Sequence, residues 1–223
     1  MLVSVHTFIE ENVDFAIYET HNGGEYDATN VFVRPVVTGI STIGMDHVKQ
    51  LGPSIENIAW HKAGIFKSGR PAFSSPQEPL AAAMLERRAN ERDVVLEYVS
   101  VDPLLPVNAS ALRPRVQRTN ASLALALTRA FLSETSPVPC SDLTGEDIGV
   151  GIQQFFWLGR FQQVTQGRQQ WFLDGAHNEL SVKNAAEWFA DMVVQDKRSL
   201  KIPDWKRTLG LTSPASPCQS RVS

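Results

Sequence analysis

Three side chains able to hold or activate charged groups stand in the N-terminal part of the chain: Glu19, His47 and Lys62. Glu19 follows the mostly apolar run Val13-Asp14-Phe15-Ala16-Ile17-Tyr18, and His47 follows Gly44-Met45-Asp46 after a second such run at residues 36–43. If both runs are buried parallel strands, both side chains reach the crevice beyond the strands' carboxyl ends, where open α/β sheets bind ligands. A carboxylate and an imidazole there can share a divalent cation. Mg2+ prefers oxygen ligands and keeps several waters, so this pair would be completed by substrate phosphates. Lys62 lies between Trp60-His61 and Ala63-Gly64-Ile65, an apolar setting that disfavours the ammonium form. A neutral amine can react with carbon dioxide. The same residues also have plainer uses: a lone acid can cap a turn, a histidine can be satisfied in a core, and a helix lysine can snorkel its charge to water.

Farther on, Trp171-Phe172-Leu173-Asp174-Gly175-Ala176-His177-Asn178 reads as an apolar strand ending in Asp174, with Gly175 permitting a turn and His177 next to a helix start. Asp174 in that place suits a ribose hydroxyl. Arg160, in Trp157-Leu158-Gly159-Arg160, can meet phosphates or stack on a base, or serve as an ordinary surface arginine. In Gly23-Gly24-Glu25-Tyr26-Asp27-Ala28-Thr29-Asn30, Asp27 and Asn30 are read as clamps of a tight loop rather than as catalysts. No GxxxxGK(S/T) phosphate loop occurs anywhere in the chain, so no segment is read as a phosphate cradle.

The elements that must position these residues alternate. Residues 2–12 have helix-compatible apolar spacing, 13–18 and 36–43 read as strands, and Ser54 starts a helix through Phe66 with a Ser-x-x-Asn cap pattern. A strand around 71–73, a helix over 80–92, a strand over 94–99 and a helix over 116–132 follow. Strand and helix alternation predicts an α/β fold, an open and mostly parallel sheet flanked by helices. A domain boundary is placed near 133–140, giving a partial central unit at 1–135 and a smaller α/β unit at 136–192, opened by 147–151 and 171–174 and continued by a helix at 181–192. Residues 193–223, rich in Ser and Pro toward the end, read as a disordered or foreign tail.

Composition bounds the partners. The 223 residues carry 21 Lys plus Arg against 24 Asp plus Glu, a formal charge of −3, which implies no nucleic-acid-binding surface. No stretch approaches the roughly 18 consecutive apolar residues of a membrane span, and the start lacks a basic leader. Two cysteines, Cys140 and Cys218, without a CxxC pattern, fit a reducing compartment.

The motifs together resemble one family, folylpolyglutamate synthase of the Mur-ligase superfamily, and most of all its fungal-like members. Glu19 with Gly23-Gly24-Glu25-Tyr26-Asp27-Ala28-Thr29-Asn30 is similar to E-x-G-x-G-G-x-x-D-x-T-N. Gly44-Met45-Asp46-His47 with Leu51-Gly52, and Ile58-Ala59-Trp60-His61-Lys62-Ala63-Gly64-Ile65, resemble G-x-D-H-x-x-x-L-G and I-A-x-x-K-A-G-I. Leu173-Asp174-Gly175-Ala176-His177-Asn178 resembles L-D-G-A-H-N, and Asn120-Ala121-Ser122-Leu123-Ala124 resembles a helix start N-A-x-L-A. Coverage is roughly residues 2–190.

The resemblance implies a Mur-ligase central domain and an ATP-dependent carbon–nitrogen ligase. Such an enzyme adds L-glutamate to the γ-carboxylate of a reduced folate, with ATP first forming an acyl phosphate. It implies Glu19 and His47 as Mg2+ ligands and Lys62 as a lysine that becomes carbamylated to help place a second metal. It implies Asn120, Arg160 and Asp174 as ATP contacts, with His177 facing the phosphates. It further implies a monomer in the cytoplasm or mitochondrion, with small-molecule partners only. Other superfamily members, a dihydrofolate synthase or a cell-wall amino-acid ligase, match Glu25-Tyr26-Asp27 and Trp60-His61-Lys62 less well. His21 stands where the family pattern has its first glycine. The family's phosphate loop and its later C-terminal elements fall outside the matched stretch, so the chain reads as truncated at both ends. The alternative to a working ligase is therefore a catalytically inactive fragment.

Overall fold

The computed structural model describes residues 1–135, 143–167 and 169–199. The chain begins with helix α1 (Leu2–Glu10) and then builds a three-stranded parallel sheet from β1 (Thr38–Ile40), β2 (Ala72–Ser74) and β3 (Leu96–Tyr98), in that order. Between β1 and β2 lie α2 (Val48–Leu51), α3 (Ile55–Lys62) and a single tight turn at Ala63–Ile65, and α4 (Pro79–Glu91) crosses from β2 to β3. Helix α5 (Arg115–Thr135) follows β3. Parallel neighbours joined through helices give the α/β architecture that strand and helix alternation predicts.

Local sequence explains these bounds. Ser54 caps α3, its hydroxyl accepting the Asn57 backbone N–H at 3.3 Å, and Pro79 opens α4 where its missing N–H is harmless. Successive strand residues face opposite sides. Ile40 and Ala72 therefore join Ile58, Ala59, Phe66, Ala81 and Leu85 in the core under α3 and α4. Gly39 turns the other way, against Leu127 of α5, where a Cβ would lie 2.6 Å from the leucine Cδ1. Helices thus cover both faces of the sheet.

Residues 13–18 differ from expectation. They form no strand and pair with no neighbour; Phe15 and Ile17 are exposed. An apolar run becomes a strand only when a ladder partner accepts its backbone, and among the described residues the edge strand β1 is bonded only to β2. The segment packs instead through aromatic rings, Tyr18 on Phe8 and Phe32, and Phe15 on Phe131 of α5. Glu19 therefore follows an irregular segment, not a strand end.

After α5, α6 (Gly145–Gln154) starts on a capping box in which Thr144 and Asp147 satisfy each other's backbone N–H groups. Residues 147–151 lie inside this helix. Its Ile148 packs with Leu105 and Leu112 beside α5. Then β4 (Gln162–Gln166) and β5 (Gln169–Leu173) form an antiparallel hairpin, and α7 (Glu179–Ser199) packs on it through Trp188 against Phe161 and Phe172. Helix α7 continues past residue 193, so the first part of the expected tail is helical; positions 200–223, like most of the expected boundary at 133–140, lie outside the described residues.

The loop 23–30 is laid against the end of α3. The Glu25 backbone N–H donates to the His61 carbonyl at 2.7 Å, and the Asn30 amide donates to the carbonyls of Glu25 and Gly64 at 3.2 and 3.1 Å. The Glu25 carboxylate takes Arg88 at 2.8 Å and Arg92 at 2.5 Å from α4 and its C-cap. Backbone approaches so closely that a Cβ on Gly64 would stand 2.2 Å from the Glu25 Cα. Gly64→Ala must push main chain from main chain, and urea denaturation should show a loss of about 3 kcal/mol or more; a loss below about 1 kcal/mol would mean that the loop yields freely.

Candidate functional site

The carboxyl end of β1 runs into residues 41–47. Gln77, just past β2, ties the two strand ends: its amide donates to the Ser41 carbonyl at 3.0 Å and to the Ser74 hydroxyl at 2.9 Å, and its Oε1 accepts the Ile43 N–H at 2.8 Å. Beyond that tie stands Asp46. Its Oδ1 accepts the His47 backbone N–H at 2.8 Å. Its Oδ2 accepts the Asn178 amide at 3.0 Å and lies 3.6 Å from His177 Nε2 and 4.0 Å from His47 Nε2. Burial raises the Asp46 carboxyl, but the Asn178 and His47 hydrogen bonds and the two imidazoles outweigh it and hold the group below its ordinary value.

His47 caps α2 with φ 51° and ψ 34°, the left-handed region that few non-glycine residues occupy. That geometry sets its side chain beside Asp46 at the crevice. Lys62 closes α3 from the other side, partly buried. Desolvation lowers its amine below the usual lysine range, and the negative charge of Asp46 opposes this only in part. Glu19 is exposed and takes part in none of these hydrogen bonds or ion pairs. Among the described residues no three His, Cys, Asp or Glu side chains converge as a ready-made metal cage. His47 beside the single Asp46 carboxylate offers donors that suit a cation drawing the rest of its shell from phosphate and water.

The second wall comes from the hairpin and α7. Phe161, itself left-handed at φ 46°, gives its N–H to Asp174 Oδ2 at 2.8 Å, and Gly175 N–H donates to the Gly159 carbonyl at 2.8 Å. The Arg160 guanidinium lies so close to Gly175 that a Cβ there would meet Nη1 at 3.1 Å. Arg160, Asp174 and His177 are therefore one neighbourhood. Asn120 is exposed on α5 and bonds to neither Arg160 nor Asp174. Sequence reasoning passed over two central members, Asp46 and Asn178. Asn178 also caps α7, its Oδ1 accepting the Ser181 N–H at 2.9 Å, and Asn-x-x-Ser before a helical run was the available signal.

No protein-family model matches the chain. The chain is 46% identical over 198 residues to the folylpolyglutamate synthase of Neurospora crassa, an alignment covering 87% of this chain and 37% of that protein. Over the region they share, the chain belongs to the folylpolyglutamate synthase family. It thus spans well under half the length of this curated relative. The apo folylpolyglutamate synthase of L. casei superposes with a TM-score of 0.72 at 25% identity, covering 83% of this chain and 49% of that one. The Mycobacterium tuberculosis folylpolyglutamate synthase solved with ADP and AMPPCP gives 0.66 at 26% identity, covering 82% and 45%.

Within the folylpolyglutamate synthase pattern His21 is the departure, and the loop absorbs it. His21 and Asn22 give their N–H groups to Asp27 Oδ2 at 2.9 and 2.7 Å, while Thr29 gives its N–H and hydroxyl to Oδ1 at 2.8 and 2.6 Å. The left-handed residue of the loop is Gly23, at φ 76°, so position 21 needs no glycine. Burial raises the Asp27 carboxyl, but these four donors prevail and lower it to about 2. A depressed carboxylate contributes stability above its unfolded value of 3.8, lost as pH falls through about 2. Acid titration of loop order should therefore show a loss between about pH 4 and pH 2, and Asp27→Asn should lack that transition; an unchanged acid transition in the variant would remove Asp27 from the account.

Proposed function

We propose that this crevice serves ATP-dependent addition of L-glutamate to the γ-carboxylate of a reduced folate. What supports the reading is the meeting of the 44–47 loop, Lys62 and the 174–178 turn at the carboxyl end of a parallel sheet, in a chain 46% identical to a synthase named for that reaction. In this reading a folate γ-carboxylate oxygen attacks the terminal phosphorus of ATP and ADP leaves. The glutamate amine then attacks the acyl carbon, phosphate departs, and the amine gives up a proton as the amide forms. Phosphoryl transfer of this kind rests on positioning and on neutralising charge.

His47 and Glu19 would hold Mg2+, which supplies that neutralisation when bound. Lys62 has its ammonium disfavoured by burial, and carbon dioxide adds to its neutral amine with loss of a proton to give a carbamate that offers oxygen to a second cation. Arg160 and His177 meet nucleotide phosphates, Asp174 takes the ribose and Asn120 contacts the nucleotide. Residues 1–135 supply part of the central ligase unit and 136–192 part of the C-terminal one, acting as a monomer in the cytosol or mitochondrion. Among the described residues no helix is long and apolar enough to cross a membrane.

Purified chain supplied with ATP, Mg2+, a reduced folate and labelled glutamate should incorporate label, and Lys62→Ala should lower turnover about a hundredfold. No incorporation at high protein concentration overturns the reading for this polypeptide. Equal turnover in Lys62→Ala removes the lysine from it.

A further inference from the structure

The Asp46 carboxylate serves two partners, its neighbour His47 and Asn178, which lies 132 positions from it in sequence. One oxygen holds the His47 N–H, a contact that anchors His47 in its left-handed conformation, which is strained for a residue with a Cβ. The other oxygen receives the side chain of Asn178. Asn178 is also the N-cap of α7, and Ser181 answers it by accepting the N–H groups of His177 and Asn178 at 3.1 Å. The first turn of α7 is thus rigid in itself and is referenced to β1 through one side chain. A carboxylate in that place also faces the positive end of the helix. A second contact makes room for the first: Gly44 lies against Leu180, where a Cβ would come within 3.0 Å of Cδ2.

We infer that Asp46 is a positioning residue that orients His47 and docks the 175–178 turn onto the end of β1, so that the two walls of the crevice share one register. Asp46 acts through geometry: either a carboxylate or an amide at 46 works if the partner at 178 is complementary. The docking claim stands on the contacts alone, and only the turnover arm of its test rests on the ligase reading.

Hydrogen exchange of the whole chain tests it. Asp46→Ala removes the shared acceptor. Asn178→Ser removes the amide donor but keeps a strong N-cap, so α7 itself is not frayed. Each should speed exchange about tenfold at both 44–48 and 176–181, the scale of one charge-assisted hydrogen bond, and the double variant should add little to the larger single effect. The exchanged pair Asp46→Asn with Asn178→Asp restores a complementary bond and should return protection at both segments. If the parent chain incorporates glutamate, this pair should also recover turnover to within about threefold, whereas each single variant loses more. Changes confined to the mutated segment, or additive effects in the double variant, overturn the docking. Restored protection without restored turnover overturns positioning and assigns the effect to the charge at 46. If the parent chain shows no turnover, the ligase reading fails for it and the exchange result alone decides the docking.

Discussion

The near wall of the crevice depends on one buried ion group, the Glu25 carboxylate shared by Arg88 and Arg92. Arg88 has a side-chain exposure of only 9%, and a charge so far from water costs several kcal/mol unless it is matched. Glu25 matches it, and the face of Trp60 lies 4.5 Å from the guanidinium carbon. Arg92 completes the group by donating to the carbonyls of Gly64 and Phe66 at 3.0 Å, which satisfies backbone where α3 ends. The loop, α3 and α4 are therefore held by a set in which each member compensates another. Removing Glu25 would leave Arg92 without a carboxylate partner and Arg88 with Glu91 alone, at 3.0 Å. Because Lys62 ends α3, its distance from the β1 loop is set by this group.

The far wall is attached differently. The hairpin and α7 adhere to each other through Trp188, Phe161, Phe172 and Phe189. Among the described residues their polar link to the β1 loop is Asp46 with Asn178 and His177. Aromatic packing fixes the second unit internally but carries little directional information, whereas a hydrogen bond between short side chains does. The crevice thus joins a wall stiffened by buried charge to a wall aligned by a few polar contacts.

Much of this was legible in the residues. The α3 start could be read because Ser54 and Asn57 form a local cap, and β2, α4 and β3 because turn residues and apolar periodicity agree there. Asp27 and Asn30 were readable as clamps because short polar side chains beside glycines bond locally. The misses have physical causes. Residues 13–18 carry strand-like composition, but strand formation depends on a neighbour that composition does not reveal. The segment Gln162–Gln166 hides its strand because polar side chains on an exposed hairpin show no alternation. Asp46 was overshadowed by His47, since its role comes from Asn178, a contact no local spacing encodes. The strand expected before Glu19 does not form, so this residue follows an irregular segment.

In the proposed ligase reading the 44–47 loop, the end of α3 and the 174–178 turn line one cation- and phosphate-binding crevice. Mn2+, which favours the same oxygen-rich sites as Mg2+, reports this directly by paramagnetic broadening of backbone amide resonances in the isotope-labelled chain with an ATP analogue present. Amides of 44–47, 61–63 and 174–178 should broaden together at low Mn2+, ahead of all other surface groups. Broadening first at exposed acids elsewhere, such as Glu86 and Glu91 on α4, with those three segments untouched, would contradict it.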